Sequence, residues 1–484
     1  MNDTVHYETA PEDRISFGQK LIYGVGAFVN NLLAGAIGGM VIVLNLGLGM
    51  NPALVGLLGA LPRVTDAITD PLMGYLSDNT RSKWGRRRPY IFCGAIAAGL
   101  IFALLWQLPR GQSEMFYFYF FLAGSILFFL AYTIFATPWV ALGYELTPDY
   151  HERTRLMGVQ NFVGQLAYLL SPWFLWIMQY EMFDDMVDGA AGLGIAIGIA
   201  TIVIGILPAI FLKERFKADD ATPKEKKSFL AEFRRSMISF FKGFATTLKF
   251  RPFLKLCAAT FLVFNGFIMI ASFQAYVIIY YVFGGDQKIG SEYLAYAGTT
   301  ATVSAFLVVI LITWVGTKIG KRRAFFLSTG ISIVGYGLKW FCYNPDIPLL
   351  VVLPMPLIAF GLGGLFTLMP SMVADVCDLD ELETNERREG IFGSVYWWMV
   401  KLGQSMALAV GGPLLNLTGF DVALGEAQSE GTLFLLRFFD VVVPMVFSGI
   451  AIWAIATYTL SEEKAHQVRE ELERRRGSVA VGDA

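Results

Sequence analysis

Charge is scarce in this chain. Of its 484 residues only 16% are Asp, Glu, Lys or Arg, while 55% are hydrophobic. A soluble protein carries about 25% charged residues, so a soluble globular fold is excluded and an integral membrane protein is expected. Cysteine is scarce as well: Cys93, Cys257, Cys342 and Cys377 stand singly, in apolar segments or at their ends. With no paired spacing they make neither a disulfide framework nor a zinc site, and read as small core residues. The chain has no phosphate-cradling glycine loop, metal motif or nucleophile–base arrangement, so neither an enzyme nor a resident cofactor is expected. The first sixteen residues are polar and acidic, and the first apolar run is too long for a signal peptide, so no cleavable leader is expected. The net charge of −2 excludes little, because where the charges sit matters more than their sum.

Apolar runs are what the chain has instead. They lie near 18–48, 52–77, 89–109, 115–146, 155–180, 189–212, 253–284, 291–316, 323–343, 348–374, 390–417 and 432–460. A helix needs roughly 20 such residues to cross a bilayer, so about twelve spans are expected. Lipid offers the backbone no hydrogen-bond partner, which leaves helices or a closed barrel. Barrel strands are about half this length and alternate strictly, so the spans are helical.

The chain also repeats itself. The segment GYLSDNTRSKWGRRRPYIF (74–92) finds a weak echo in WVGTKIGKRRAFF (314–326), and HERTRLMG (151–158) in NERREGIFG (385–393). Gly85 and Gly320 are 235 residues apart, and Glu152 and Glu386 are 234 apart. Two landmarks that shift together imply an all-α membrane protein of two six-helix bundles in parallel orientation, a major facilitator fold. The expected organisation is a first bundle over 1–213, a connector over 214–251, a second bundle over 252–460 and a tail over 461–484. The connector mixes basic and aromatic residues and reads as an amphipathic helix on the membrane surface, or else as a plain charged linker. Nucleic acid is not an expected partner of a basic stretch placed between membrane bundles. The tail reads as a short surface helix that frays, with no function assigned.

Lys and Arg crowd the even-numbered loops, so both termini are expected on the cytoplasmic side of a cell inner membrane. Asp78, Arg86, Arg87, Arg153 and Arg387 lie in these loops. They can pair with acids such as those of ELTPDYHER (145–153) in one conformation and part in another, a gate. A basic loop that only sets topology is the alternative.

The most informative charges are inside a span. The run 51–77 carries Asp66 and Asp70, four residues apart and hence on one helix face. A carboxylate near the bilayer centre costs roughly 3 kcal/mol or more unless a cation, a proton or a metal ion compensates it. Arg63 precedes Asp66 by three residues and can pair with it, which leaves Asp70 unbalanced. Pro71 frees the carbonyl of Ala67. Together with the hydroxyls of Thr65 and Thr69 this makes an oxygen-rich nest suited to sodium or a proton. Two adjacent carboxylates repel, so cation binding there can be linked to the binding of a second ligand.

Other polar residues lie at membrane depth: Asn30, Asn31, Tyr132, Thr133, Thr137, Trp139, Asn161, Gln165, Trp397, Trp398 and Lys401. Aromatic faces beside amides and hydroxyls suit a sugar. The same residues also hold membrane helices together. Lys401 stands alone in an apolar run and is expected to face a cavity or a carboxylate.

The stretches KLIYGVGAF (20–28), DAITDPLMGYLSDNTRSKWGRRRPY (66–90), YTIFATPW (132–139), ADVCDLDELETNERREGIF (374–392) and VKLGQ (400–404) resemble the glycoside–pentoside–hexuronide:cation symporters, the melibiose-permease-like family. The resemblance implies that Asp66 and Asp70 carry the coupling cation, with Thr69 and Thr133 nearby, and that Lys401 touches the cation–sugar region. The chain departs from the family's type member where Asn30–Asn31 replace a Lys–Asp pair, Ala136 an aspartate and Asn161 a sugar-binding arginine. A site with one carboxylate fewer favours protons over sodium, and the GRRRPY loop is similar to that of sucrose and maltose proton symporters. The expected function is symport of a sugar or glycoside with sodium or a proton by alternating access, membrane lipid being the surrounding partner. Substrate-binding candidates are Asn30, Asn31, Tyr132, Trp139, Asn161, Trp397 and Lys401. A lysolipid or amphiphile symporter of the same fold, and a membrane sensor that binds without transport, are the rival readings.

Overall fold

The computed structural model describes residues 11–147, 150–214, 238, 244–385 and 388–475. The chain divides into two compact units, Met1–Ser228 and Phe229–Ala484. The first holds α1 (Phe17–Met40), α2 (Pro52–Asn79), α3 (Arg88–Leu105), α4 (Glu114–Glu145), α5 (Tyr150–Gln165) and α6 (Met186–Gly205). The second holds α7 (Arg251–Tyr276), α8 (Gln287–Ile319), α9 (Lys321–Cys342), α10 (Met355–Thr384), α11 (Glu389–Leu417), α12 (Glu430–Ala456) and α13 (Glu462–Arg475). The residues between α6 and α7 expected to form the amphipathic connector lie largely outside the described ones.

Each unit packs by the same scheme. In the first, α3 packs on α4 and α6, α2 on α4, and α1 on α5 and α6. In the second, α9 packs on α10 and α12, α8 on α10, and α7 on α11 and α12. Every pairing in the first unit recurs six helices later, which is the three-dimensional form of the 235-residue repeat in the sequence.

Among the described residues, ten helices are long and apolar enough to cross a membrane. The two of the twelve that fall short, α2 and α5, do so for a reason. In α2 the described apolar stretch is Pro52–Arg63, and the charges Asp66, Asp70 and Asp78 lie further along the helix. The regular part of α5 is short and polar (YHERTRLMGVQNFVGQ). It continues through two 3-10 turns, Leu166–Leu169 and Ser171–Trp173, around Pro172. Local signals set the helix starts: Ser16, Asn51, Ser113, Asp286 and Ser429 each accept a hydrogen bond from a first-turn amide.

Glycine lets the backbones of α3 and α6 touch. A Cβ on Gly99 would lie 2.5 Å from the Gly198 carbonyl oxygen, and one on Gly198 would lie 2.5 Å from that of Gly99. Small residues at such crossings give membrane helices their van der Waals contact.

The tail forms a short helix, as expected: α13 docks on α10, burying Val468 and Leu472 in the core of the second unit. Arg475 donates to the Leu382 carbonyl and to Asn385 Oδ1, each at 3.0 Å. Val468 and Leu472 are four apart and share a face, which gives the helix an apolar edge to bury. Among the cysteines, Cys257, Cys342 and Cys377 are buried, but Cys93 is exposed, unlike the core residue expected.

Candidate functional site

The first unit brings Asp66, Asp70, Thr69 and Thr133 together. Helix α2 runs unbroken through Pro71, and Asp66, only 3% exposed, faces inward from it. Thr133, on α4, donates from Oγ1 to Asp70 Oδ1 at 3.0 Å. Its hydroxyl also lies 3.5 Å from that of Thr69, which in turn donates to the Thr65 carbonyl at 3.1 Å. Two carboxylates and two hydroxyls from two packed helices make an oxygen-rich cluster at membrane depth. Such a set compensates a hard monovalent cation or a proton.

The guanidinium of Arg63 lies over the Phe129 ring, 4.7 Å from the centroid. An aromatic face on α4 thus attracts this cation.

Beside this cluster is an amide–hydroxyl chain. Tyr132 donates to Asn30 Oδ1 at 2.8 Å, and Asn30 Nδ2 donates to Asn31 Oδ1 at 3.2 Å. Tyr132 and Thr133 are adjacent on α4, so the chain and the carboxylate cluster share one helix turn. Trp139 is placed otherwise. It is 2% exposed, stacked between Tyr23 and Phe135, with its indole N–H on the Tyr23 carbonyl at 3.2 Å. Gly26 leaves the room for it. Trp139 is therefore part of the packing between α1 and α4. Asn161 is exposed on α5.

In the second unit Lys401 is exposed on α11, and Trp397, one turn earlier, stacks on Phe366 of α10 at 6.3 Å between centroids.

The basic loop after α2 is an ordered network. Arg87 is 5% exposed and reaches Asp78 Oδ1 at 2.7 Å and Glu145 Oε1 at 2.9 Å. Arg86 also pairs with Glu145. The Glu214 carboxylate, beyond α6, accepts from the backbone amides of Arg86 at 2.8 Å, Arg87 at 2.8 Å and Arg88 at 3.0 Å. That is an anion held at a helix N-terminus, where the amides and the helix dipole both favour it. Gly85, at φ +113°, leaves the space that Glu214 fills. Arg153 donates to the Thr147 carbonyl at 3.2 Å. Arg387 lies outside the described residues.

The second unit has a matching network. Lys321, 235 residues after Arg86, binds Asp375 at 2.7 Å. Asp380, 235 after Glu145, takes Arg388 in a two-pronged pair whose Nε–Oδ2 arm is 2.9 Å. Glu145 is one of the ELTPDYHER acids expected to meet these arginines; sequence reasoning missed Glu214, Asp375 and Asp380 as partners, although the repeat offset links Asp380 to Glu145. Glu152, another acid of that stretch, is 1% exposed and takes Lys20 at 2.6 Å and the Ile15 amide at 2.9 Å, two partners the sequence did not point to.

Comparison with known proteins agrees with this architecture. A family model described as MFS/sugar transport protein matches residues 22–462. A symporter of Synechocystis is 26% identical, over 96% of this chain and 98% of that protein. The isoprimeverose transporter of Lactiplantibacillus pentosus is 24% identical, over 86% of this chain and 82% of its own length. Among solved structures, an inward-facing bacterial homologue of the lysosomal transporter Spinster shares the fold, with a TM-score of 0.65, 15% identity and 92% and 98% of the two chains covered. The chain is thus a multi-pass membrane protein that belongs to the MFS/sugar transport protein family, in its glycoside–pentoside–hexuronide:cation symporter branch.

Proposed function

We propose that the chain imports a sugar or glycoside by symport with a sodium ion or a proton, and that Asp66 and Asp70 receive that cation. The observation that carries this reading is the hydrogen bond from Thr133 on α4 to Asp70 on α2, beside the buried Asp66. It supports a built acceptor for positive charge inside a span. Thr69 and Thr133 supply neutral oxygens. Asn30, Asn31 and Tyr132 supply the polar edge and aromatic face that a sugar needs, one helix turn away. Asn161, Trp397 and Lys401 are further substrate contacts. The basic loops and their acids serve as the gate, with both termini on the cytoplasmic side of a cell inner membrane. The protein is a transporter and not an enzyme.

Named relatives favour a sugar over a lysolipid: besides the isoprimeverose transporter they include a glucuronide carrier homologue of Escherichia coli, 22% identical. The test is uptake into proteoliposomes across a panel of labelled sugars, with sodium and proton gradients imposed separately. Uphill accumulation of at least one glycoside under one of the two gradients is expected. Binding without counterflow of any labelled sugar would make the protein a sensor and overturn the reading.

A further inference from the structure

The second unit contains an ion pair that the transport reading does not use. Lys339 on α9 and Asp440 on α12 are both 0% exposed, with Nζ 2.7 Å from Oδ2. Tyr343, just past the end of α9, donates to the same Oδ2 at 2.6 Å. Three residues before Asp440, Arg437 lies over the rings of Tyr281 at 4.0 Å and Trp340 at 4.4 Å, and donates to the Trp340 carbonyl at 2.8 Å. Tyr281 belongs to a π-helical turn, Val277–Val282, that extends α7. One end of α7, α9 and α12 is therefore tied by side chains of all three.

Lys339 sits one turn from the end of its span. A lysine there ordinarily extends its ammonium to the water interface. This one turns inward and is sealed. A buried charge is tolerated when it is paired and further hydrogen-bonded, and removing one partner is far worse than removing both. The Tyr343 hydroxyl donates to the same carboxylate oxygen that the Lys339 ammonium approaches as an ion pair, and α9 and α12 pack directly on each other. A site that exchanged an ion with water during transport would need a route to water, and both members of this pair are closed off.

We propose that Lys339, Asp440 and Tyr343 form a lock that stays shut through the transport cycle. It selects the register in which α12 joins α9 as the protein assembles, and makes this end of the bundle a fixed base. It carries neither the coupling ion nor a gate movement.

The test compares single and double variants in membranes. Lys339→Met or Asp440→Leu alone is expected to lower the yield of folded protein at least tenfold. The double variant, Lys339→Met with Asp440→Leu, is expected to restore folded yield and uphill accumulation to within about twofold of the parent. Single variants that fold and transport like the parent would overturn the lock. So would a double variant that folds and exchanges substrate but no longer accumulates it, because the pair would then belong to coupling. Hydrogen–deuterium exchange on the unaltered protein supplies a readout that needs neither variants nor transport. Residues 336–343 and 437–443 are expected to exchange equally slowly with and without sodium and substrate, at two pH values. Ligand-dependent exchange there would overturn the proposal.

Discussion

Thr133 and Asp70 meet across the α2–α4 interface, the threonine hydroxyl donating to the carboxylate over 3.0 Å. A hydrogen bond to a charged group contributes about 1.5–3 kcal/mol. Thr133→Val removes the donor and also an oxygen from the cation's surroundings. Cation affinity, read from the activation of uptake by sodium or proton concentration, is expected to weaken by roughly 10- to 100-fold. Thr133→Ser keeps the hydroxyl and should stay within a few-fold of the parent. Equal behaviour of the two variants would remove Thr133 from the site.

Glu145 holds two guanidinium groups, and one of them, Arg87, is buried. Glu145→Gln leaves Arg87 with Asp78, which is half-exposed. Loss of one partner of a buried pair costs about 3–5 kcal/mol, less where solvent reaches the pair as it does here. Transport is expected to fall at least roughly tenfold, and Glu145→Asp is expected to recover part of it. The check is the initial rate of counterflow at matched protein amounts.

Gly99 and Gly198 bring α3 and α6 into backbone contact. Gly99→Ala is expected to destabilise the first unit by about 1–3 kcal/mol through overpacking, and Gly99→Val by more. Thermal unfolding followed by size-exclusion chromatography would show a lowered midpoint for the alanine variant and little folded valine variant.

Leu472 anchors the tail helix in the core of the second unit. Leu472→Asp places a carboxylate in that apolar contact, a position that costs several kcal/mol when unpaired. The helix is expected to detach, so trypsin should cleave after Arg474 or Arg475 sooner than in the parent. Unchanged cleavage would mean the docking is not held by that side chain.

The parts of this account that were legible in the sequence share a physical cause. Asp66 and Asp70 announced themselves because a carboxylate within an apolar run is costly and therefore rare. The two-bundle fold was legible because Gly85 and Gly320 repeat the same loop. The full set of loop partners was not legible. Glu145 stands in the ELTPDYHER stretch expected to meet the arginines, but Glu214 lies past a helix end, where acids are ordinary, and only the amides that fold onto it mark it out. Asp440 meets Lys339 across 101 residues, and one lysine near a helix end looks the same whether it turns outward or inward. Trp139 illustrates the converse. An indole at membrane depth suits a sugar site and a packed core equally, and its contacts with Tyr23 and Phe135 and the space at Gly26 become visible only in the fold.

The role given to the α2 carboxylates is tested most directly by Asp70→Asn in proteoliposomes. Counterflow of labelled substrate and cation-driven uphill accumulation are measured on the same preparation. The account predicts that exchange persists while accumulation against a gradient is lost. Full uphill accumulation by Asp70→Asn would contradict it.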